Sequence, residues 1–130
     1  MAKMDEIINY LQSEGLMPSK DGDGDIVFKY QMKNFIIFDT TDDEQYLQIA
    51  LPGIYEVNED NLVEVLAACN SVCRSIKVSK AIVTGDNKSV WVVYESMLDT
   101  TPVYGDIIPR ALEILMAGQR SFYDAINGQQ

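Results

Sequence analysis

The sequence contains no histidine, and of its 130 residues only two are cysteine, four proline and one tryptophan. The missing imidazole excludes Ser-His-Asp and Cys-His nucleophilic chemistry and most zinc and iron sites. Two cysteines are too few for a disulfide framework, and their four-residue separation is not the Cys-x-x-Cys spacing of redox sites. No apolar run approaches the length that spans a bilayer, so no membrane association is expected. Basic residues are also short: 10 Lys and Arg stand against 20 Asp and Glu, a net charge of −10. The bases, among them Lys29, Lys33, Arg74, Lys77, Lys80, Arg110 and Arg120, are scattered along the sequence. A polyanion such as nucleic acid would be repelled. The opening Met-Ala-Lys-Met-Asp-Glu has none of the features of a signal peptide, which predicts a cytoplasmic location with reduced thiols.

What is present suffices for a core. Hydrophobic residues make up 47% and charged residues 23%, ordinary for a globular protein. The length suits one domain over 1–130, with no repeat, linker or low-complexity segment. No cofactor is needed to explain folding.

Met4, Ile7, Ile8 and Leu11 follow helical spacing, with Asp5 and Glu6 in the first turn and Gly15 and Pro18 as stops, so a helix is predicted over about 3–14. After the Asp21–Asp25 turn come three β-rich runs: Ile26, Phe28 and Tyr30 in alternation, the nearly unbroken apolar stretch from Asn34 to Asp39, and Leu47, Ile49 and Leu51 in alternation. Short polar links make them an antiparallel meander, ended by Pro52-Gly53. Leu62, Val65, Leu66, Cys69, Val72, Cys73 and Ile76 mark a second helix, capped by Asn58 or Asp60. Both cysteines on this stripe read as small buried hydrophobes. Strands over about 79–84 and 89–95 flank the loop Gly85–Lys88, and a last helix runs from about Asp106 to Asn127. Pro109 is expected in that helix's first turn, and Gly118 as a point of close approach to the sheet. The expected fold is α+β, in the order α-β-β-β-α-β-β-α, with a five-stranded antiparallel sheet and three helices in two layers.

Candidate chemistry is thin. Asp21-Gly22-Asp23-Gly24-Asp25 has the spacing of an EF-hand start, but Ile26 replaces the sixth-position glycine and Met32 the twelfth-position glutamate. The loop therefore lacks its sharp turn and its bidentate ligand, and no metal site is assigned. Asp42, Asp43 and Glu44 read as solvated charge, and no phosphate-cradling glycine loop precedes a helix. No catalytic or cofactor-binding residue emerges.

Layer accounting gives the one functional pointer. Three helices cover one face of a five-stranded sheet and leave the other without a helix. Strand alternation assigns to that face Val27, Lys29 and Gln31, then Tyr46, Gln48 and Ala50, then Ser89, Trp91, Val93 and Glu95. Aromatic and apolar groups rimmed by polar ones suit recognition of another chain, so Trp91, Tyr46, Val27 and Val93 are the candidate protein-binding residues. The rival is a small-molecule or lipid sensor, with a pocket between sheet and helices lined by Phe28, Phe38, Tyr30 and Met116.

The element order, with the helix beginning near Asn58 feeding a hairpin that reaches Val83, resembles the YbjN-type family, assigned to bacterial sensory-transduction regulation. In residues the resemblance lies in Leu66-Ala67-Ala68-Cys69-Asn70-Ser71, Lys77-Val78-Ser79-Lys80-Ala81 and Asn87-Lys88-Ser89-Val90-Trp91-Val92. That family is similar in fold to the type III secretion chaperones, which are small, acidic and usually dimeric and wrap an extended client segment. The resemblance thus implies a chaperone- or adaptor-like protein with a protein partner, itself a homodimer. It supplies no catalytic residues.

Overall fold

The computed structural model describes residues 2–128. Helix α1 (Lys3–Ser13) leads through the two-residue strand β1 (Ser19–Lys20) to β2 (Ile26–Tyr30), β3 (Lys33–Ile37) and β4 (Tyr46–Glu56). Helix α2 (Leu62–Ser75), strands β5 (Ser79–Val83) and β6 (Ser89–Met97) and helix α3 (Tyr104–Gly128) complete the chain. The sheet is antiparallel with order β1-β2-β3-β4-β6-β5. It has six strands rather than the expected five. The sixth escaped notice because two exposed residues carry no alternation; Ser19 and Lys20 simply pair with Val27 and Ile26.

The three helices share one face of the sheet. Ile7 and Leu11 of α1, Val65 and Val72 of α2, and Ile108, Leu115 and Phe122 of α3 are almost wholly enclosed with Ile26, Phe35, Ile37, Leu47, Ile49, Val90 and Val92 of the sheet. That buried layer drives folding, each large side chain contributing about 1.5–3 kcal/mol.

Four local details differ from the sequence expectation. Strand β4 does not end at Pro52-Gly53. Its register with β6 shifts between Leu51 and Tyr55, and Gly53 (φ 63°) turns through the bulge before pairing resumes. Proline is tolerated there because a bulge releases it from the ladder. On α2 the buried stripe is Val65, Ala68, Cys69 and Val72, while Leu66 and Cys73 are exposed on its flank. The α2 entry is capped one turn early: the Asn58 carboxamide oxygen accepts from the N–H groups of Asp60 and Asn61 (2.9 and 3.0 Å), and the helix begins at Leu62. Helix α3 starts two residues earlier than expected, so Pro109 is its sixth residue, past the first turn, and the Gly105 carbonyl loses its intrahelical donor.

Gly118 lies where α3 crosses β6. A methyl group there would stand 2.8 Å from Val92 Cγ1, so the close approach expected from the sequence is present. At the other end of the core, Lys3 is 3% exposed and its ammonium donates to Thr40 O, Thr40 Oγ1, Asp43 O and Tyr46 O at 2.7–2.9 Å. It ties α1 to the β3–β4 loop.

Candidate functional site

The face of the sheet opposite the helices carries the four candidates. Register places Val27 beside Ile36, Ile36 beside Ala50, Ala50 beside Val93 and Val93 beside Lys80. An apolar row therefore crosses the sheet from β2 to β6 and ends at the cation on β5. None of Val27, Ile36, Phe38, Ala50, Trp91 and Val93 belongs to the core cluster packed beneath the helices. Ile36 and Phe38 did not show in the sequence pattern, because the apolar run of β3 has no alternation from which to read a face.

Phe38 lies two residues beyond Ile36, just past the end of β3 and still bonded through its N–H to Gln48 O (3.0 Å), and Trp91 two residues before Val93 on β6. Their rings stack with centroids 6.2 Å apart and planes 19° from parallel, across the position of Ala50. This explains why Ala50 is fully buried and Val93 only 3% exposed although no helix covers them. Val93 is thus floor rather than contact surface. Trp91, Val27 and Tyr46 are half-buried, and Ile82 on β5 is 38% exposed.

A polar cluster bounds the patch. The Tyr46 hydroxyl donates to Glu95 Oε2, and Lys80 Nζ lies 2.5 Å from Glu95 Oε1. Burial, then the bond to Glu95, pushes the Tyr46 phenol up to about 12. The hydrogen bond from Lys80, seconded by Tyr46, holds Glu95 below the usual carboxylate range. Both shifts move away from neutrality, opposite to what proton transfer at physiological pH needs. The cluster ties β4 to β6 through Tyr46 and Glu95, and β6 to β5 through Glu95 and Lys80.

The residues of the alternative sensor pocket do not converge. Phe38 is on the outer face, while Phe28 (4% exposed) and Met116 (6%) are shut into the core. Tyr30 alone borders a hollow, of about 220 Å³, formed with Tyr10, Leu11, Glu14 and Leu16 and with Ile108, Pro109 and Leu112 of α3. That volume is below the roughly 300–1,000 Å³ of ordinary ligand pockets.

The Asp21–Asp25 run forms the β1–β2 hairpin loop, with ligand-type oxygens of Asp21, Asp23 and Asp25 within 4.8 Å of one another. Asp21 Oδ1 holds the turn, accepting from the N–H groups of Asp23 and Asp25 (2.9 and 3.0 Å), and Asp25 Oδ1 accepts from that of Asp39 (2.8 Å). The cysteines separate in role. Cys69 is buried, its thiol pushed up to about 11 chiefly by burial. The Cys73 thiol lies against the outer edge of β5, 3.3 Å from the Ala81 nitrogen and 3.7 Å from its oxygen. Folding also corrects the reading of the bases: Arg74, Lys77, Lys80, Arg110 and Arg120 gather around the α2–β5 loop. No helix among the described residues is long and apolar enough to cross a membrane.

No family model and no curated protein matches the sequence. Solved structures do match. An uncharacterized protein from Methanothermobacter thermautotrophicus superposes with a TM-score of 0.63 at 13% identity, covering 97% of both chains. YbjN from E. coli, described as "a putative transcription regulator", superposes with a TM-score of 0.72 at 13% identity, over 97% of this chain and 92% of its own. At such identity the likeness is one of architecture, and the architecture of this chain is that of YbjN.

Proposed function

We propose that the protein is a non-enzymatic binding module, chaperone- or adaptor-like, that receives a partner or client chain on the outer face of its sheet and acts in the cytoplasm as a homodimer. The observation that carries this reading is the Phe38–Trp91 slab with Val27 and Ile36 beside it, half-buried apolar surface outside the helix-covered core. Stacked aromatics beside aliphatics, bordered by Lys80, Glu95 and Tyr46, have the make-up of a recognition patch. The lack of histidine and the divergent shifts of Tyr46 and Glu95 favour binding over catalysis.

The test is affinity capture from the native lysate with the unmodified chain, Trp91→Ala and Ile36→Lys, each first checked for a native far-ultraviolet spectrum. Lys88→Ala, exposed in the β5–β6 loop, is the control. A specific partner should be retained by the control and lost by both face variants. Identical capture by all four proteins would remove the sheet face from consideration. Light scattering of the same samples tests the dimer, and a monomer at all concentrations would refute it.

A further inference from the structure

The basic residues that are dispersed in sequence meet at one corner of the fold. Arg74, Lys77 and Lys80 line a surface hollow of about 520 Å³ that also takes in Val93 and Glu95. On the other flank of the same loop, Lys77 joins Arg110 and Arg120 around a hollow of about 650 Å³. Ile76, Tyr94, Ile107 and Ile114 contribute apolar walls to this second hollow. The two hollows share Ser75 to Val78, and Val78 stands out between them, 59% exposed.

Half of the chain's ten bases thus border the two hollows, with only Glu95, Asp106 and Glu113 of its twenty acids. Lys80 is paired with Glu95. Arg74, Lys77, Arg110 and Arg120 are exposed and, among the described residues, have no ion pair. In a chain of net charge −10 such a local reversal of sign is a steering feature: it draws anionic groups to one place while the remaining surface repels them.

We propose that this corner docks an acidic segment of a partner chain, with apolar anchors in the hollows and carboxylates against the four unpaired cations. This rests on the protein-binding reading and gives the partner its chemistry. Continuity supports it, because the first hollow is lined by Val93 and Lys80, the last residues of the outer-face row, and by Glu95 of the adjoining clamp. A segment lying across Phe38 and Trp91 would leave the sheet directly into the basic corner. The apolar walls decide between polyanions. A nucleic-acid backbone gains nothing from Ile107 and Ile114, whereas side chains alternating in polarity use walls and cations together.

Fluorescence anisotropy tests it with the full chain and a short labelled peptide of alternating Glu and Leu. At low salt the peptide should bind about tenfold tighter than its Gln-for-Glu analogue, and high salt should erase the difference. Arg74→Glu with Lys77→Glu should abolish the preference. Lys20→Glu with Lys88→Glu, the same change in net charge at two exposed sites elsewhere, should keep it. Equal loss in both double variants, no preference in the native chain, or equally tight binding of a single-stranded oligonucleotide would overturn the proposal. Trp91→Ala separates the two readings. Peptide preference and partner capture that both survive it support the corner and sink the face; capture that depends on Trp91 without any peptide preference sinks the corner alone.

Discussion

Replacing Gly118 by alanine sets two known effects against each other. In the interior of a 25-residue helix, glycine to alanine contributes about 1 kcal/mol of helix propensity. The new methyl, however, would be 2.8 Å from Val92 Cγ1, with Val92 Cγ2 at 3.7 Å and Val72 Cγ1 at 3.8 Å. Carbon atoms are at rest about 3.5–4.0 Å apart, so the helix and strand must separate by most of an ångström or Val92 must turn. Neither is easy. Val92 is fully buried on β6, between β4 and β5, and a β-branched side chain has few rotamers to choose from. Overpacking of this kind costs about 1–3 kcal/mol, and so direct a clash belongs in the upper half of that range. The net expectation is destabilisation by about 1–2 kcal/mol, read as a lower urea midpoint with unchanged slope. On a Val92→Ala background the obstructing methyl is gone, and the same substitution should stabilise by about 1 kcal/mol. The reversal of sign between backgrounds is the signature, a coupling of about 2–3 kcal/mol. A raised midpoint for Gly118→Ala alone, or the same shift on both backgrounds, would refute the close-approach argument.

Lys3→Met should cost about 1–3 kcal/mol and not the larger penalty of a stranded buried ion, because the substitution removes the charge itself. The abandoned acceptors also keep other donors: Thr40 O has the Asp43 N–H (2.9 Å), Asp43 O the Tyr46 N–H (3.2 Å) and Tyr46 O the Thr40 hydroxyl (3.0 Å). Hydrogen exchange should quicken at the amides of Asp43 and Tyr46 and stay slow in α3; unchanged exchange in that loop would contradict the tether. The alkaline limb of stability follows from groups that are neutral when protonated. Tyr46 and Tyr104 are pushed up to about 12 and Cys69 to about 11, each mainly by burial, above ordinary values of about 10 and 8.5. The folded chain holds these protons more tightly than the unfolded one. Stability is therefore complete below the ordinary values and falls as pH rises through 11 and 12. Tyr46→Phe should make the urea midpoint fall less steeply over that window, and an unaltered slope would count against the buried phenol.

The sequence disclosed those parts of the fold in which polarity alternates or repeats. Met4, Ile7 and Leu11 announced α1, and Ile26 and Phe28 announced the inner face of β2, because one-sided burial leaves its period in the chain. Where burial is two-sided or absent the period vanishes. Phe35 and Ile37 point into the core and Ile36 and Phe38 out of it, so the run on β3 could be placed in the sheet but not assigned to faces. Ser19-Lys20, exposed throughout, gave no period at all. The turn Gln31-Met32 was equally silent. Both residues have positive φ, 49° and 65°, in a two-residue hairpin turn that usually announces itself with Asn-Gly. The basic corner was hidden for another reason. Arg74 and Arg120 are 46 positions apart, and only the packing of α2 on α3 sets them around one loop.

Ala50 explains why the outer face is neither a second core nor plain solvated surface. Opposite Val93 on one side and Ile36 on the other, it is the smallest side chain of its row, and that leaves the gap across which Phe38 and Trp91 reach each other. The pair shields the floor without any helix, so the sheet need not expose its whole apolar area while unbound, which would invite aggregation. Yet stacking satisfies only one face of each ring. What remains outward is aromatic carbon already ordered by its partner ring, and ordering done in the free state is ordering that association does not have to supply. A chain docking here would meet a preformed slab bounded by the Tyr46–Glu95–Lys80 clamp and continuous, past Lys80, with the hollow of Arg74 and Lys77.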